Sequence, residues 1–296
     1  MNLWHSSFFG GLGLAVLSAL LLTGYVGCKG DSAPAPTNGH NASARTVLHV
    51  LPTTADPMAD PLSAPAWRYV HWTTLTPPLN DSHLPPFTRV AALYQNKSLV
   101  ENGRSVEAGF LYVAFVCAAP ELNAANLSSE HDMAEVWLDT SAAQNGTEFF
   151  SLSVNPAGQT WRNWYRSSLP PKPKADGSPN LTHPISRMPD YPVPGLLSKV
   201  GQGSVNGEKV WTVVLQIPLK GLPLPLRPPQ ALAKEGARWQ VNLLRSYWVG
   251  KEGQPRELLQ ANLAPVHRAC QGFSPYRMAD LLLEGNGSGV AFKKDN

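Results

Sequence analysis

The stretch "MAEVWLDT", Met133–Thr140, decides the fold class. Ala134, Val136 and Leu138 alternate in it with Glu135, Trp137 and Asp139. Successive side chains of a strand point to opposite faces, so this segment offers one apolar face and one mixed face. Working outward, strand-like runs rich in β-branched and aromatic residues recur. They are "TVLHVLP" (46–52), "RVAALYQN" (89–96), "GFLYVAFVCAA" (109–119), "EFFSLSVN" (148–155), "VWTVVLQIP" (210–218), "RWQVNLLRSYW" (238–248) and "RMADLLLEG" (277–285). They predict an all-β chain of about eight to ten strands. No amphipathic helix is expected, and "PQALAKEGA" supplies at most a short turn. The fold class that follows is an antiparallel β-sandwich or jelly roll with long irregular loops.

Two segments are predicted to be irregular. Residues 166–206 are proline-rich with few periodic apolar positions, and 249–275 separate the last two strands. A long loop without its own structure is uncommon in a compact domain and is often functional.

The chain has 296 residues, is 43% hydrophobic and is 15% charged, so it can bury a substantial core. Pro (28) and Gly (24) suit many strands joined by turns. The net charge of +3, with no Lys/Arg stripe, gives no footprint for nucleic acid.

At the N-terminus, "FFGGLGLAVLSALLLTGYVGC" is an apolar run ending in small residues and Cys28. Residues 1–27 are expected to be a signal peptide and Cys28 a lipidated cysteine. A single membrane anchor of about 20 residues is the competing reading. Residues 28–46, rich in Ser, Ala, Pro and Asn, form a flexible tether in either case. The folded domain is placed at 47–285 and a flexible tail at 286–296. The domain is then exported, facing the periplasm or the cell exterior. Cys117 and Cys270 are its two cysteines. In an oxidising compartment they can pair, or remain ordinary buried thiols. There is no C-x-x-C pattern, so neither a structural zinc site nor a redox motif is indicated.

Seven segments together resemble the family 9 carbohydrate-binding modules, within the wider DOMON-like group of β-sandwiches. They are "ADPLSAPAWRYV", the pair "TRVAALYQN" and "FLYVAFVCAAPEL", "HDMAEVWLDT", "FFSLSVNPAGQTW", "VWTVVLQIPLKGL", "RWQVNLLRSYW" and "FSPYRMADLLLE". They occur in family order over roughly 55–284, with "KSLVENGRSVEAG" as an insertion inside the pair. The resemblance implies a non-catalytic domain that binds glycans. Calcium is possible by the same analogy, although no compact acidic loop is present to supply its oxygens. The DOMON-like group also contains haem binders, which would use Met133, Met188, Met278, His131 or His183. A structural or interaction protein that has lost its sugar site is a third reading.

By the resemblance, Glu135 is the glutamate that contacts ligand. Asn155 belongs to an Asn-Pro-x-Gly turn, and Asn242 and Arg245 to a Trp-x-x-Asn-x-x-Arg strand. Arg245 either clamps ligand or pairs with Glu135 or Asp280. The family grips its sugar between two tryptophans, and both of their loops, here "NAANLSSEH" and "NLAPVHRACQG", lack an aromatic. The role then passes to Trp161, Trp164 and Tyr165, with Trp248 as a further exposed candidate. Sugars need flat aromatic faces and fixed polar groups, which these residues offer. In a strand, Trp161 and Tyr165 share one face and Trp164 takes the other, so at least one of them is structural. Trp211 and Trp239, which open apolar strands, are expected in the core. Asp132 and Glu135 are three apart and face opposite ways, so they do not form the carboxylate pair a glycosidase needs.

Overall fold

The computed structural model describes residues 46–78, 86–119, 132–141, 147–167, 185–249, 257–264 and 278–285. The expected signal segment, Cys28, the tether, Cys270 and the tail lie outside the described residues, as do His131 and His183. Among the described residues no helix is long and apolar enough to cross a membrane.

Thirteen strands are present among them. They are β1 (Val47–Pro52), β2 (Thr73–Thr74), β3 (Thr88–Glu101), β4 (Arg104–Ala118), β5 (Asp132–Asp139), β6 (Glu148–Val154) and β7 (Thr160–Ser167). The rest are β8 (Ile185–Pro189), β9 (Leu197–Val205), β10 (Glu208–Pro218), β11 (Arg238–Val249), β12 (Glu257–Asn262) and β13 (Ala279–Leu283). They form one hydrogen-bonded path, β8-β7-β6-β5-β11-β13-β1-β3-β4-β10-β9, with β12 on β11 and β2 on β3. The path curls into two layers at β1. Val47–Val50 pair with β13, whereas Leu51 and Pro52 pair with β3. Both β1 pairings are parallel, so the expected antiparallel sandwich is a mixed one at that corner.

One apolar cluster fills the space between the layers. Val136, Leu138, Phe150, Leu152, Val241 and Leu243 come from the first layer, and Val113, Phe115, Val213 and Leu215 from the second. The alternation in β5 is realised: Ala134, Val136 and Leu138 face inward and Trp137 outward. Burying each such large apolar side chain contributes roughly 1.5–3 kcal/mol. Trp211 and Trp239 are core residues, as expected.

Two segments expected to be irregular contain strands. The insertion 97–109 likewise continues the β3–β4 hairpin, whose turn is Asn102-Gly103 with φ of 50° and 75°. Positive φ at both central residues matches the twist of the strands, and Asn-Gly tolerates it. The proline-rich 166–206 stretch contains β8 and β9, and a second Asn-Gly turn, Asn206-Gly207, joins β9 to β10. β12 lies inside 249–275. Little of β9 is apolar because it is an edge strand.

Of the two cysteines that can pair, Cys270 lies outside the described residues. Cys117 is a free thiol pointing into the core between the layers, where burial pushes its pKa up to about 12.

Candidate functional site

The side chains with chemistry to offer gather on the outer face of the first layer. Strand register sets them in rows. Trp161 on β7 is opposite Ser153 on β6, which is opposite Glu135 on β5. The row continues through Leu244 on β11 to Asn262 on β12. One step along, Asn163, Ser151, Trp137 and Asn242 are aligned in the same way. Neighbouring strands lie about 4.8 Å apart, so Trp161 and Glu135 are separated by about 10 Å.

Glu135 anchors this face and is buried. Ser246 Oγ donates to its Oε1 at 2.5 Å, and Ser153 Oγ and Trp137 Nε1 donate to its Oε2 at 3.2 and 3.4 Å. Gln260 Nε2 donates to Ser246 Oγ at 3.3 Å, which carries the network to β12. Burial raises the Glu135 pKa and outweighs the three hydrogen bonds, which lower it. The structure therefore gives the carboxyl expected to touch ligand a supporting position. It fixes the hydroxyls of Ser153 and Ser246 from below.

A second chain of hydrogen bonds crosses to the sheet edge. Arg187 Nε on β8 donates to Asn163 Oδ1 at 2.8 Å, and Asn163 Nδ2 donates to Ser151 Oγ at 3.3 Å. Asn163 and Ser151 are buried, whereas Arg187 is exposed.

The aromatics separate by face. Trp137, Phe149 and Tyr165 stack on one another with ring centroids 4.7–5.4 Å apart, and Leu244 and Met278 complete a small outer core. Tyr165 is thus largely structural. Burial raises its phenol pKa, against the pull of the nearby Arg187 charge. Trp164 is on the inner face, packed against the main core and edge-on to Tyr191. Trp161 is part-exposed, and its indole has no hydrogen-bond or ring partner among the described residues. Trp248 is part-buried near the end of β11, on the same side as Ser246.

Two expected ligand contacts are corrected by burial. Arg245 is 0% exposed and points between the layers. Its partner is Asp132, not Glu135 or Asp280: Nε and Nη2 donate to the two carboxylate oxygens at 2.7 and 2.6 Å. Trp211 Nε1 donates to the same carboxylate at 2.8 Å, and Arg245 Nη1 donates to Thr88 Oγ1 at 3.2 Å. This fork ties β5, β11, β10 and β3 together. Asp280 lies 3.6 Å from Arg238 instead. Asn155 is also 0% exposed and clamps its own turn, with Gln159 N donating to its Oδ1 at 2.9 Å and Gly158 N to its carbonyl at 2.9 Å. Gly158 there has a φ of 80°.

The methionines do not converge as a ligand set would. Met278 is in the outer core, Met133 faces outward beside Ser246, and Met188 lies opposite Trp164 on the other face. Among the described residues, no group of three or more His, Cys, Asp or Glu side chains is placed to hold a metal ion.

Sequence reasoning missed Ser151, Ser153, Asn163, Arg187, Ser246, Gln260 and Asn262. The serines were accessible in principle, because "FFSLSV" alternates them with Phe150, Leu152 and Val154. Arg187 gave no signal within its proline-rich surroundings. Asn262 is 1% exposed, and neither its Nδ2 nor its Oδ1 has a partner among the described residues.

No protein-family model matches the chain, and no curated protein matches it by sequence. Among solved structures it is similar to a family 9 carbohydrate-binding module from Caldicellulosiruptor kristjanssonii in complex with glucose. That likeness has 13% identity, covers 83% of this chain and 99% of that one, and has a TM-score of 0.49. A structure described as a family 9 module from the same organism in complex with cellotriose is similar at 13% identity. It covers 82% of this chain and 96% of that one, with a TM-score of 0.46.

Proposed function

We propose that this chain is a non-catalytic carbohydrate-binding domain that uses the outer face of its first layer, near β7 and β8. The observation that carries the proposal is Trp161. It is a part-exposed indole on the outer face with no ring or hydrogen-bond partner among the described residues, in register with Ser153 and Glu135. On this face a pyranose ring stacks its C–H surface on Trp161. Its hydroxyls meet the Ser153 hydroxyl and the Asn163 amide, which the network below holds in place. Fixed donors and acceptors cost little ordering entropy on binding.

Affinity electrophoresis of the purified protein in gels containing soluble β-glucan, xylan, pectin or alginate tests this. Retardation by at least one polysaccharide, lost in Trp161→Ala while Trp164→Ala keeps it, is the expected result. No retardation by any of them, or retardation indifferent to Trp161, overturns it.

The same proposal places the domain outside the cytoplasm, held at a membrane by a lipid on Cys28 and a short tether. The apolar run ending in "YVGC" supports this. Incorporation of labelled palmitate in a bacterial host, abolished by Cys28→Ala, is the expected outcome. Equal labelling of the variant would sink it.

A further inference from the structure

The exposed cation at the β7–β8 edge is oriented rather than free. Arg187 is opposite Tyr165 in the strand register, on the same face as Trp161 and Asn163. Its Nε is held by Asn163 Oδ1 at 2.8 Å, and Asn163 is set in turn by Ser151 Oγ at 3.3 Å. Both supports are buried, at 6% and 2% exposure. An arginine that serves only solubility needs no such support, and fixing its long side chain has an entropic cost. With Nε occupied, the two terminal amino groups form a fork without a partner among the described residues. On the same face the Glu135 carboxyl is already taken up by Ser246, Ser153 and Trp137, and Glu148, on the other face, is paired with Arg166 at 3.3 Å. A planar guanidinium held in this way matches the two oxygens of a carboxylate or sulfate group.

We infer that the glycan bound here is acidic, with a carboxylate or sulfate group seated on Arg187 while a neighbouring sugar face stacks on Trp161. This rests on the carbohydrate-binding reading above and adds the ligand's charge. Trp161 and Asn163 are two residues apart on β7, about 7 Å along the strand, so one or two sugar units span the aromatic and the fork.

Binding is measured with the purified protein on three sets of polysaccharide of matched size: polygalacturonate or alginate for carboxylate, carrageenan for sulfate, and β-glucan or galactan as neutral comparators. The expected result is tighter binding to one acidic set than to the neutral one, identifying the oxyanion. Arg187→Gln should weaken that binding about tenfold and Arg187→Lys should recover only part of it, because an ammonium cannot present the fork. Asn163→Ala should weaken it less than Arg187→Gln. Arg166→Gln removes the same charge from the neighbouring position on β7 and should leave binding unchanged. Equal binding of neutral and acidic glycans with Arg187→Gln silent would overturn this inference and leave the carbohydrate-binding reading standing. A loss in Arg166→Gln as large as in Arg187→Gln would also overturn it, since bulk charge would then suffice. No binding to any set would remove both readings.

Discussion

The two layers treat their outer faces differently. On the second layer that face is apolar: Leu93, Phe110, Tyr112 and Val214 lie beneath Trp67, and Met58, Ala59 and Trp72 pack around them. The chain covers this face with its own segment before β2. Trp67 Nε1 donates to Pro57 O at 2.9 Å, and the Trp67 and Trp72 rings lie 6.0 Å apart. Lys97 sits over Phe110 and Tyr112 at 5.5 and 5.3 Å from their centroids. On the first layer the corresponding face is built around a buried carboxyl, serines and amides, with a small aromatic core beside them. Polar groups in such a position cost free energy unless each finds a partner. One face is thus built for closure. The other keeps polar capacity and leaves Trp161 and Arg187 at an accessible edge.

Perturbing each side separately can sharpen or break this contrast. The largest effect on stability is expected between the layers. Asp132→Ala strands the Arg245 guanidinium in the core and should cost about 3–5 kcal/mol, read as a lowered denaturation midpoint in urea. Trp67→Ala removes the cover of the second layer and should cost about 3 kcal/mol by the same measurement, with glycan binding unchanged. If it abolished binding instead, the division between a closing face and a binding face would fail.

Glu135→Gln should act through pH. Burial raises the carboxyl's pKa in the fold, so the folded state holds a proton that the unfolded chain releases above about pH 4. The stability this group contributes is complete below that pH and is lost as pH rises through the raised folded value. Denaturation midpoints of the wild type should therefore fall between acidic and neutral pH more steeply than those of the Gln variant. Parallel profiles would mean that Glu135 is not buried as a neutral acid.

The smallest effect on stability is expected at Trp161. Trp161→Ala should shift it by about 1 kcal/mol, while glycan affinity falls about tenfold, as for a contact at the centre of a small interface. A large loss of stability would make Trp161 a packing residue and erase the contrast between the two faces.

Much of the fold was legible because it rests on a period of two. Alternation in Met133–Thr140 and Glu148–Asn155 gave both the strand and its inward face, and it separated Trp161 and Tyr165 from Trp164. It failed where burial on one face no longer imposes a pattern. β9 is an edge strand, and β8 is a short, exposed one beside prolines. The site was legible in type and less so in membership. Glu135 and Trp161 share one face and one row of the register, as alternation allows. Arg245, read as a ligand clamp or a partner of Glu135 or Asp280, instead faces between the layers, and an arginine between strands carries no mark of which side it will face. Asp132, its partner, is 113 positions away in the chain.

The sequence by itself determined that the chain is a β-rich sandwich and which residues of each strand share a face, because side-chain direction is local and alternates with every residue. Only the tertiary structure decided which polar residues are spent on the fold and which remain for a ligand. Arg245 and Arg187 are the same amino acid on strands of the same layer, yet one is enclosed by Asp132 and Thr88 and the other is held open by Asn163. That distinction depends on what lies across the gap from each, and strands distant in sequence supply it.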